Sequence, residues 1–232
     1  MKVSLVGYTP EPERLVAAAA RLCHADAPPE ELLARMDPDE IRAFLEKLTR
    51  LGHLSVFEHA SFTFAVSGVS RALTHELVRH RIASYTQRSQ RYLNETGFRY
   101  VTPPTIAAHP EGAAIFAEAM SHLERGYARL LALGIPREDA RFVLPNACAS
   151  QLVVTMNARS LRNFFALRCC SRAQWEIRAL AREMLAKVRE VAPGLFLQAG
   201  PPCESAGFCR EGALGCGRAP AAPRGESWES GG

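Results

Sequence analysis

The chain has 232 residues, of which 47% are hydrophobic, so it can bury one sizeable core and fits one domain, at most two. Its 28 Lys and Arg against 24 Asp and Glu give a net charge of +4, which is too small to indicate a nucleic-acid-binding protein by itself. The N-terminus lacks the apolar core of a signal peptide, and no stretch is long enough to span a bilayer. We therefore expect a cytoplasmic protein with no membrane partner.

The first half of the chain is predicted to alternate short strands with helices. A strand at residues 2–6 precedes an alanine-rich helix at residues 11–23. A second helix begins after Asp37, which can serve as its N-cap in a capping box with Glu40, and ends at Gly52. Residues 61–66 alternate apolar and polar side chains as a half-buried strand does, and Ser70 can cap a helix that runs to residue 81.

The second half is predicted to contain longer helices. A helix at residues 111–133 ends before Gly134, and Pro136 starts a short one. β-branched residues predict a strand at residues 151–156, and a helix follows it. Ser171 and Gln174 predict a capping box for a long amphipathic helix that ends before Pro193. Several helices with a few strands between them predict an α+β fold.

The C-terminal segment differs in composition from the rest of the chain. We expect one folded domain at residues 1–200 and a partly disordered tail at residues 201–232, where Gly, Pro, Ala and Ser dominate. We expect disorder in the last ~15 residues in particular. Five and six residues separate Cys203, Cys209 and Cys216, so a zinc site completed by another cysteine is an alternative to reduced thiols, although the spacing is not C-x-x-C. We expect no metal.

Four arginines and a histidine occur within fourteen residues, RHRIASYTQRSQRY at residues 79–92. Only two carboxylates lie close by in sequence, so these guanidinium groups would repel one another unless an anion lies among them. Gln87, Ser89 and Arg91 alternate, so in an extended segment they would project to one side and surround one phosphate. The segment predicts phosphate binding, while a solvated basic helix and a nucleic-acid-binding patch remain alternatives on residue types alone.

Three segments carry recognisable patterns. Arg79, His80 and Arg81 are followed after seven residues by Ser89. Residues 52–59 read GHLSVFEH, and the region from residue 157 reads NARSLRNF, then LR at 167–168 and AQWEIR at 173–178. The first pattern is the Arg-His-Arg-x₇-Ser signature of flavin-dependent thymidylate synthases, and the other segments are similar to further segments of that family. The chain thus resembles this family over residues 35–195.

The resemblance implies a fold, an assembly and a reaction. The fold would be α+β, with helices packed around a small central sheet and no Rossmann domain, and no G-x-G-x-x-G fingerprint is present. The chains would form a homotetramer with active sites shared between subunits. The reaction would be reductive methylation of dUMP to dTMP in dTTP biosynthesis, with 5,10-methylenetetrahydrofolate as the carbon donor and NADPH-reduced FAD as the hydride donor. A basic nucleic-acid-binding module and an FAD oxidoreductase without methyl transfer are the alternatives.

The resemblance also implies site residues, position by position. FAD is expected at Ser55, Arg79, His80, Arg81, Gln87, Asn157, Arg159 and Asn163. The substrate dUMP is expected at Glu76, Arg79, Gln87, Arg88, Ser89, Gln90, Arg91, Arg141 and Arg168. Arg168 is expected to be catalytic, since a guanidinium at the uracil ring favours its N3-deprotonated form without losing its own proton. Helical spacing independently places Arg159 and Asn163 on one face.

Three of these positions depart from the family pattern. Glu76 stands where several relatives have glutamine, and Gln87 stands where some carry glutamate. Arg88 stands inside the loop where others have an apolar residue. None of the three departures removes a position of the signature.

Overall fold

The computed structural model describes residues 1–205, 207–209 and 211–220. Within them, one antiparallel sheet with the strand order β1-β2-β4-β3 contains β1 (Lys2–Tyr8), β2 (Ser61–Ser70), β3 (Ser84–Gln87) and β4 (Ala149–Asn157). In β2, Phe62, Phe64 and Val66 are buried and alternate with partly exposed residues, which places the apolar side chains on one face. The predicted α+β class and three of the strands are confirmed, whereas β3 was not predicted.

The helices contribute most of the remaining structure. Before β4 they are α1 (Pro12–Leu22), α2 (Pro29–Arg35), α3 (Pro38–Leu51), α4 (Arg71–Leu77), α5 (Pro104–Ala107), α6 (Pro110–Ala132) and α7 (Arg137–Ala140). After β4 they are α8 (Ala158–Arg168), α9 (Trp175–Val191) and α10 (Pro202–Ser205). Short 3-10 turns lie at Ser55–His59, Arg141–Val143 and Gly212–Leu214.

The helix ends confirm some of the predicted caps and correct others. The side chain of Asp37 accepts a hydrogen bond from the amide of Asp39, and Gly52 ends α3 with φ 75°, a conformation that costs glycine little. The capping box predicted with Ser171 is wrong, because α9 begins at Trp175. Its N-cap is Gln174, whose Oε1 accepts from two amides of the first turn at 2.7 and 3.2 Å.

The helix predicted to run to residue 81 ends earlier. α4 stops at Leu77, and two turn hydrogen bonds, from Arg79 N to Glu76 O at 3.2 Å and from His80 N to Leu77 O at 3.1 Å, carry the chain out of the helix. These bonds span three residues and so tighten the last turn, as 3-10 bonds do at helix ends. The chain then becomes β3, so residues 79–81 lie in a connection rather than on a helix.

Two compact units are distinguished by their internal contacts. The first consists of Met1–Val3 and Ala65–Val154, and the second of Ser4–Phe64 and Thr155–Gly232. One hydrophobic cluster of the first unit is formed by Phe98, Met120 and Cys148. In the second unit, the ring of Phe196 packs edge-on against Phe62 at 5.3 Å and Phe165 at 5.9 Å between centroids.

The proposed division at residue 200 stays a prediction. Part of the predicted tail contains α10 and the turn Gly212–Leu214, and Arg172 forms an ion pair with Glu211. The disorder expected in the last ~15 residues falls mostly on residues 221–232, which lie outside the described residues. Among those that are described, no helix combines the length and the apolar character needed to cross a membrane.

Candidate active site

Residues 79–81 begin the arginine-rich signature in the connection after α4. Arg79 and Arg81 are exposed, and His80 is half-buried. A ligand could therefore reach both arginine side chains. Two guanidinium groups, each able to form paired hydrogen bonds, suit an extended anionic ligand.

Tyr85 ties this connection to β3. Its hydroxyl lies 2.9 Å from the carbonyl oxygen of Leu77 and 2.7 Å from that of His80, and its single proton is shared between these two acceptors. Burial raises the pKa of Tyr85 to about 12, so the hydroxyl keeps its proton near neutral pH. The backbone that carries the signature is therefore held by one half-buried tyrosine.

Gln87 ends β3 in a buried polar group. Its Nε2 donates to the hydroxyls of Thr74 and Ser150, both at 3.0 Å, and these two residues are 1% and 6% exposed. Thr74 in turn donates to the carbonyl of Arg71 at 2.9 Å. Since both N–H groups of the amide have protein acceptors, a ligand contact by Gln87 would use its carbonyl oxygen.

Arg88 pairs with a buried carboxylate. Its Nε lies 3.1 Å from Glu95 Oε1 and its Nη2 lies 3.4 Å from Glu95 Oε2. The side chain of Glu95 is 7% exposed and that of Arg88 is 34% exposed. This fork geometry is the one that an arginine and a carboxylate adopt in a strong pair.

A turn follows at Ser89 and corrects one expectation. The amide of Arg91 donates to Ser89 Oγ at 3.1 Å, and the amide of Leu93 donates to the Ser89 carbonyl at 3.3 Å. The prediction that Gln87, Ser89 and Arg91 alternate along one extended segment is therefore wrong, because the strand ends at Gln87. A turn still brings backbone amides and the Ser89 hydroxyl close together, as an anion site requires.

Glu138 of α7 brings together two predicted substrate residues that are far apart in sequence. Its Oε2 accepts from Arg91 Nε at 2.6 Å, and its carbonyl accepts from Arg141 Nε at 3.1 Å. Gln90 points elsewhere, with its Nε2 3.5 Å from the sulfur of the buried Cys148. Ser89, Arg91 and Arg141 thus belong to one local group.

Arg71 adds positive charge to this group. Its Nη1 lies 3.5 Å from the carbonyl of Arg88. Burial lowers the pKa of Arg71, and the charge of Arg141 lowers it further, while Cys148 and Glu95 oppose the change. Arg71 and Arg141 therefore repel each other, and a bound anion would relieve that repulsion.

The remaining predicted residues lie in the second unit. Ser55 is exposed and begins the 3-10 turn Ser55–His59, which the buried Phe57 anchors. Glu58 of that turn accepts from Arg159 Nη1 at 2.6 Å. The guanidinium of Arg162 lies 5.7 Å from the centroid of the Phe57 ring. The turn that carries Ser55 is therefore attached to α8.

The first residues of α8 combine capping with exposed polar groups. Asn157 is the N-cap, and its Oδ1 accepts from the amide of Ser160 at 2.8 Å, which leaves its amide nitrogen for other contacts. Arg159 and Asn163 are both exposed and lie four residues apart, so they share a face as predicted. Arg168 is the last residue of α8 and is half-buried.

The residues that the sequence reasoning missed are mainly partners of the predicted ones. Arg71 follows the predicted cap Ser70, and Tyr85 lies inside the signature. Their positions in the sequence are therefore a signal that could have indicated a place in the site. Glu95 is one of the two carboxylates close in sequence to residues 79–92, but no local pattern indicates that it pairs with Arg88. Glu138 is linked to Arg91 by no spacing that a local pattern could reveal.

The cysteines of the C-terminal segment give no metal centre in the described part of the chain. Cys203 and Cys209 are half-buried, Cys216 is exposed, and all three are free thiols. Among the residues described, no group of three or more His, Cys, Asp or Glu is arranged to hold a metal ion. The zinc alternative therefore gains no support from the geometry.

Known proteins match nearly the whole chain. A family model described as thymidylate synthase complementing protein matches residues 4–194. A flavin-dependent thymidylate synthase of Geobacter sulfurreducens is 52% identical over 221 residues, which covers 94% of this chain and 95% of the relative. One from Clostridium tetani is 48% identical and covers 94% of each chain.

A solved structure matches as well. It is the crystal structure of the UMP/dUMP methylase PolB from Streptomyces cacaoi bound with 5-Br dUMP. The two chains are 29% identical with a TM-score of 0.72, and the match covers 84% of this chain and 92% of the other. The family model, which matches residues 4–194, thus includes every site residue predicted above.

Proposed function

The chain belongs to the flavin-dependent thymidylate synthase family, and we propose that it catalyses the reductive methylation of dUMP to dTMP. The observation that carries this proposal is the group formed by Arg71, Arg91 and Arg141 next to the Ser89 turn. Two of these arginines repel each other, and the third is paired with Glu138. A phosphate dianion is a ligand that such a group would stabilise, and dUMP carries one.

The proposed flavin is FAD, a long, anionic cofactor. The exposed residues Arg79, Arg81, Arg159 and Asn163 would contact it, with Ser55, His80, Gln87 and Asn157 as further candidates. Arg159 would exchange its contact with Glu58 for a phosphate of the cofactor. When bound, the flavin supplies hydride chemistry; NADPH and 5,10-methylenetetrahydrofolate are the proposed cosubstrates.

The remaining substrate residues have distinct proposed tasks. Arg168 would lie at the uracil ring, where its guanidinium stabilises negative charge as the N3 proton leaves and so makes C5 more nucleophilic. Glu76 and Arg79 would contact the nucleoside from the end of α4. Ser89, Arg91 and Arg141 would hold the phosphate, and Gln90 would contact another part of dUMP.

A homotetramer with shared active sites is the proposed assembly. Several large apolar side chains of the first unit are exposed, among them Phe142 at 83%, Leu133 at 78% and Ile82 at 75%. Apolar side chains this exposed favour contact with another chain. A cytoplasmic location stays a prediction from the sequence, which subcellular fractionation of the native host would test.

The direct test is product formation by the purified protein. With FAD, NADPH, 5,10-methylenetetrahydrofolate and dUMP, we expect dTMP, and omission of any one component should abolish it. UMP in place of dUMP tests the sugar preference, since the structural relative is a UMP/dUMP methylase. A reducible flavin without dTMP would favour the plain oxidoreductase, and failure to bind flavin would contradict the proposal.

Arg168→Ala tests the assignment of the catalytic arginine. The variant should keep bound flavin but lose about 10²-fold or more in dTMP formation, because a positioned charge is removed from the reacting ring. Arg168→Lys is the matched control, since it keeps the charge and loses the fork. Full turnover by Arg168→Ala would overturn the assignment.

A further inference from the structure

Glu95 is a buried carboxylate that forms a forked ion pair with Arg88 and also interacts with the charge of Arg71. Its side chain is 7% exposed, and an ionised carboxylate so placed is costly unless it is paired and hydrogen-bonded. Arg88 provides two forked contacts at 3.1 and 3.4 Å. The backbone amide of Glu95 lies 3.3 Å from the hydroxyl of Tyr127, which is fully buried. Both the backbone and the side chain of Glu95 are therefore restrained, and the ion pair restrains the side chain of Arg88 in turn.

The backbone of Arg88 is also held on both sides. Its amide donates to the carbonyl of Gln151 in β4 at 2.9 Å, and its carbonyl lies 3.5 Å from Arg71 Nη1. Residue 88 is the first after β3, and the turn that contains Ser89 and Arg91 starts immediately behind it. Any shift of Arg88 would therefore move this turn.

We propose that Arg88 is a positioning residue: through its pair with Glu95 it fixes the turn of residues 89–91 that binds the substrate phosphate, and its own side chain does not contact dUMP. The proposal rests on the proposed function and replaces the direct contact that the family resemblance implied for Arg88. The edge of the guanidinium formed by Nε and Nη2 is directed at Glu95, so this fork is engaged within the protein and is not available to a phosphate.

The variant Glu95→Gln separates positioning from direct contact. It leaves Arg88 in place but removes the charge that holds it. If Arg88 positions the turn, the KM for dUMP should rise about three- to tenfold, as expected when a charged hydrogen-bond partner is neutralised. If Arg88 itself binds the phosphate, releasing it should leave the KM unchanged or lower it, and that result would overturn the proposal.

A pair of further variants makes the test independent of folding. Arg88→Met leaves the buried Glu95 without its forked partner and should raise the KM for dUMP by about tenfold or more. The double variant Arg88→Met/Glu95→Met removes both charges and should bring the KM back to within about threefold of wild type, since apolar residues often replace a buried ion pair without loss. If the double variant has a KM for dUMP as high as that of Arg88→Met alone, Arg88 contacts dUMP directly and the proposal is overturned.

Deoxyuridine, which lacks the phosphate, supplies the readout that a merely destabilised protein would not show. The ratio of kcat/KM for dUMP to that for deoxyuridine should fall in Glu95→Gln and in Arg88→Met, with bound flavin unchanged. Arg35→Met, which breaks the exposed pair with Glu31 on α2, is the matched control and should leave the ratio unchanged. Absence of dTMP formation by wild type would refute the proposed function, whereas an active wild type with unaltered ratios in both variants would refute only this inference.

Discussion

At the scale of single residues, Tyr85 explains how an arginine-rich connection can have a defined course. Guanidinium groups in one short segment repel one another, so these side chains do not themselves stabilise one backbone conformation. The hydroxyl of Tyr85 bridges the carbonyls of Leu77 and His80, on either side of Arg79. The segment is thus shaped by a neutral side chain, which leaves the charged ones available to ligands.

Tyr85→Phe should show this dependence. Removing the hydroxyl leaves two carbonyls without their donor, so the free energy of unfolding near pH 8 should fall by about 1–2 kcal/mol, and flavin affinity should weaken several-fold. Because the folded pKa is raised to about 12 from 10.0, the stabilisation linked to the neutral hydroxyl is complete below pH 10 and is lost as the pH rises through 12.

Chemical denaturation at several pH values measures both effects. Wild type should lose stability between about pH 10 and 12 relative to Tyr85→Phe, which has no titrating group at this position. Equal stability of the two proteins near pH 8, together with unchanged flavin affinity, would contradict the role given to the hydroxyl.

At the scale of secondary structure elements, α8 combines a capped N-terminus with an exposed face that is proposed to bind flavin. Its N-cap Asn157 uses the carbonyl side of its amide for the helix, and Arg159 and Asn163 expose the adjoining face. Deeper in the helix, Arg162 donates to the carbonyls of Leu195 and Leu197 at 2.8 and 2.9 Å. Burial lowers the pKa of Arg162 to about 10, which marks it as a structural rather than a ligand-facing arginine.

Two substitutions at Asn157 should separate its tasks. Asn157→Ala removes the cap and should cost about 1 kcal/mol of unfolding free energy. Asn157→Asp keeps an oxygen acceptor at the helix N-terminus and should retain that stability. Flavin affinity should fall in both, because each lacks the amide nitrogen and aspartate also repels a phosphate. Thermal unfolding without flavin and flavin titration measure the two quantities, and wild-type affinity in Asn157→Asp would argue against a flavin contact.

At the scale of the whole molecule, the chain presents apolar surface that one copy leaves uncovered. Phe142 is 83% exposed, although it lies next to Arg141, a proposed phosphate ligand. A homotetramer with shared sites would cover such side chains and would place phosphate-binding residues close to a subunit boundary. The assembly and the activity would then depend on each other.

Phe142→Ser should reveal that link. Light scattering of the wild type should give four times the mass of one chain, whereas the variant should dissociate to smaller species on dilution, with parallel loss of dTMP formation. Phe142→Leu keeps an apolar contact and is the matched control. A monomeric and active wild type would contradict the tetramer, and an unaltered Phe142→Ser tetramer would place this side chain outside the interface.

The sequence by itself determined the family, the α+β class and most of the elements. These features depend on patterns that are local along the chain: the alternation in β2, the caps at Asp37, Ser70 and Gly52, and the fixed spacing of Arg79, His80, Arg81 and Ser89. A period or a spacing can be read without knowing which distant residues come close, because the backbone geometry repeats from one residue to the next.

The tertiary structure alone decided which charges are satisfied within the protein. The sequence predicted one phosphate-binding segment with several equivalent arginines, whereas the structure pairs Arg88 with Glu95 and Arg91 with Glu138 and brings Arg71 close enough to Arg141 for the two charges to repel each other. It also ended the strand at Gln87 and moved the cap of α9 to Gln174. The physical reason is that an ion pair or a turn depends on distances of a few ångströms between side chains, and folding sets these distances independently of separation along the chain.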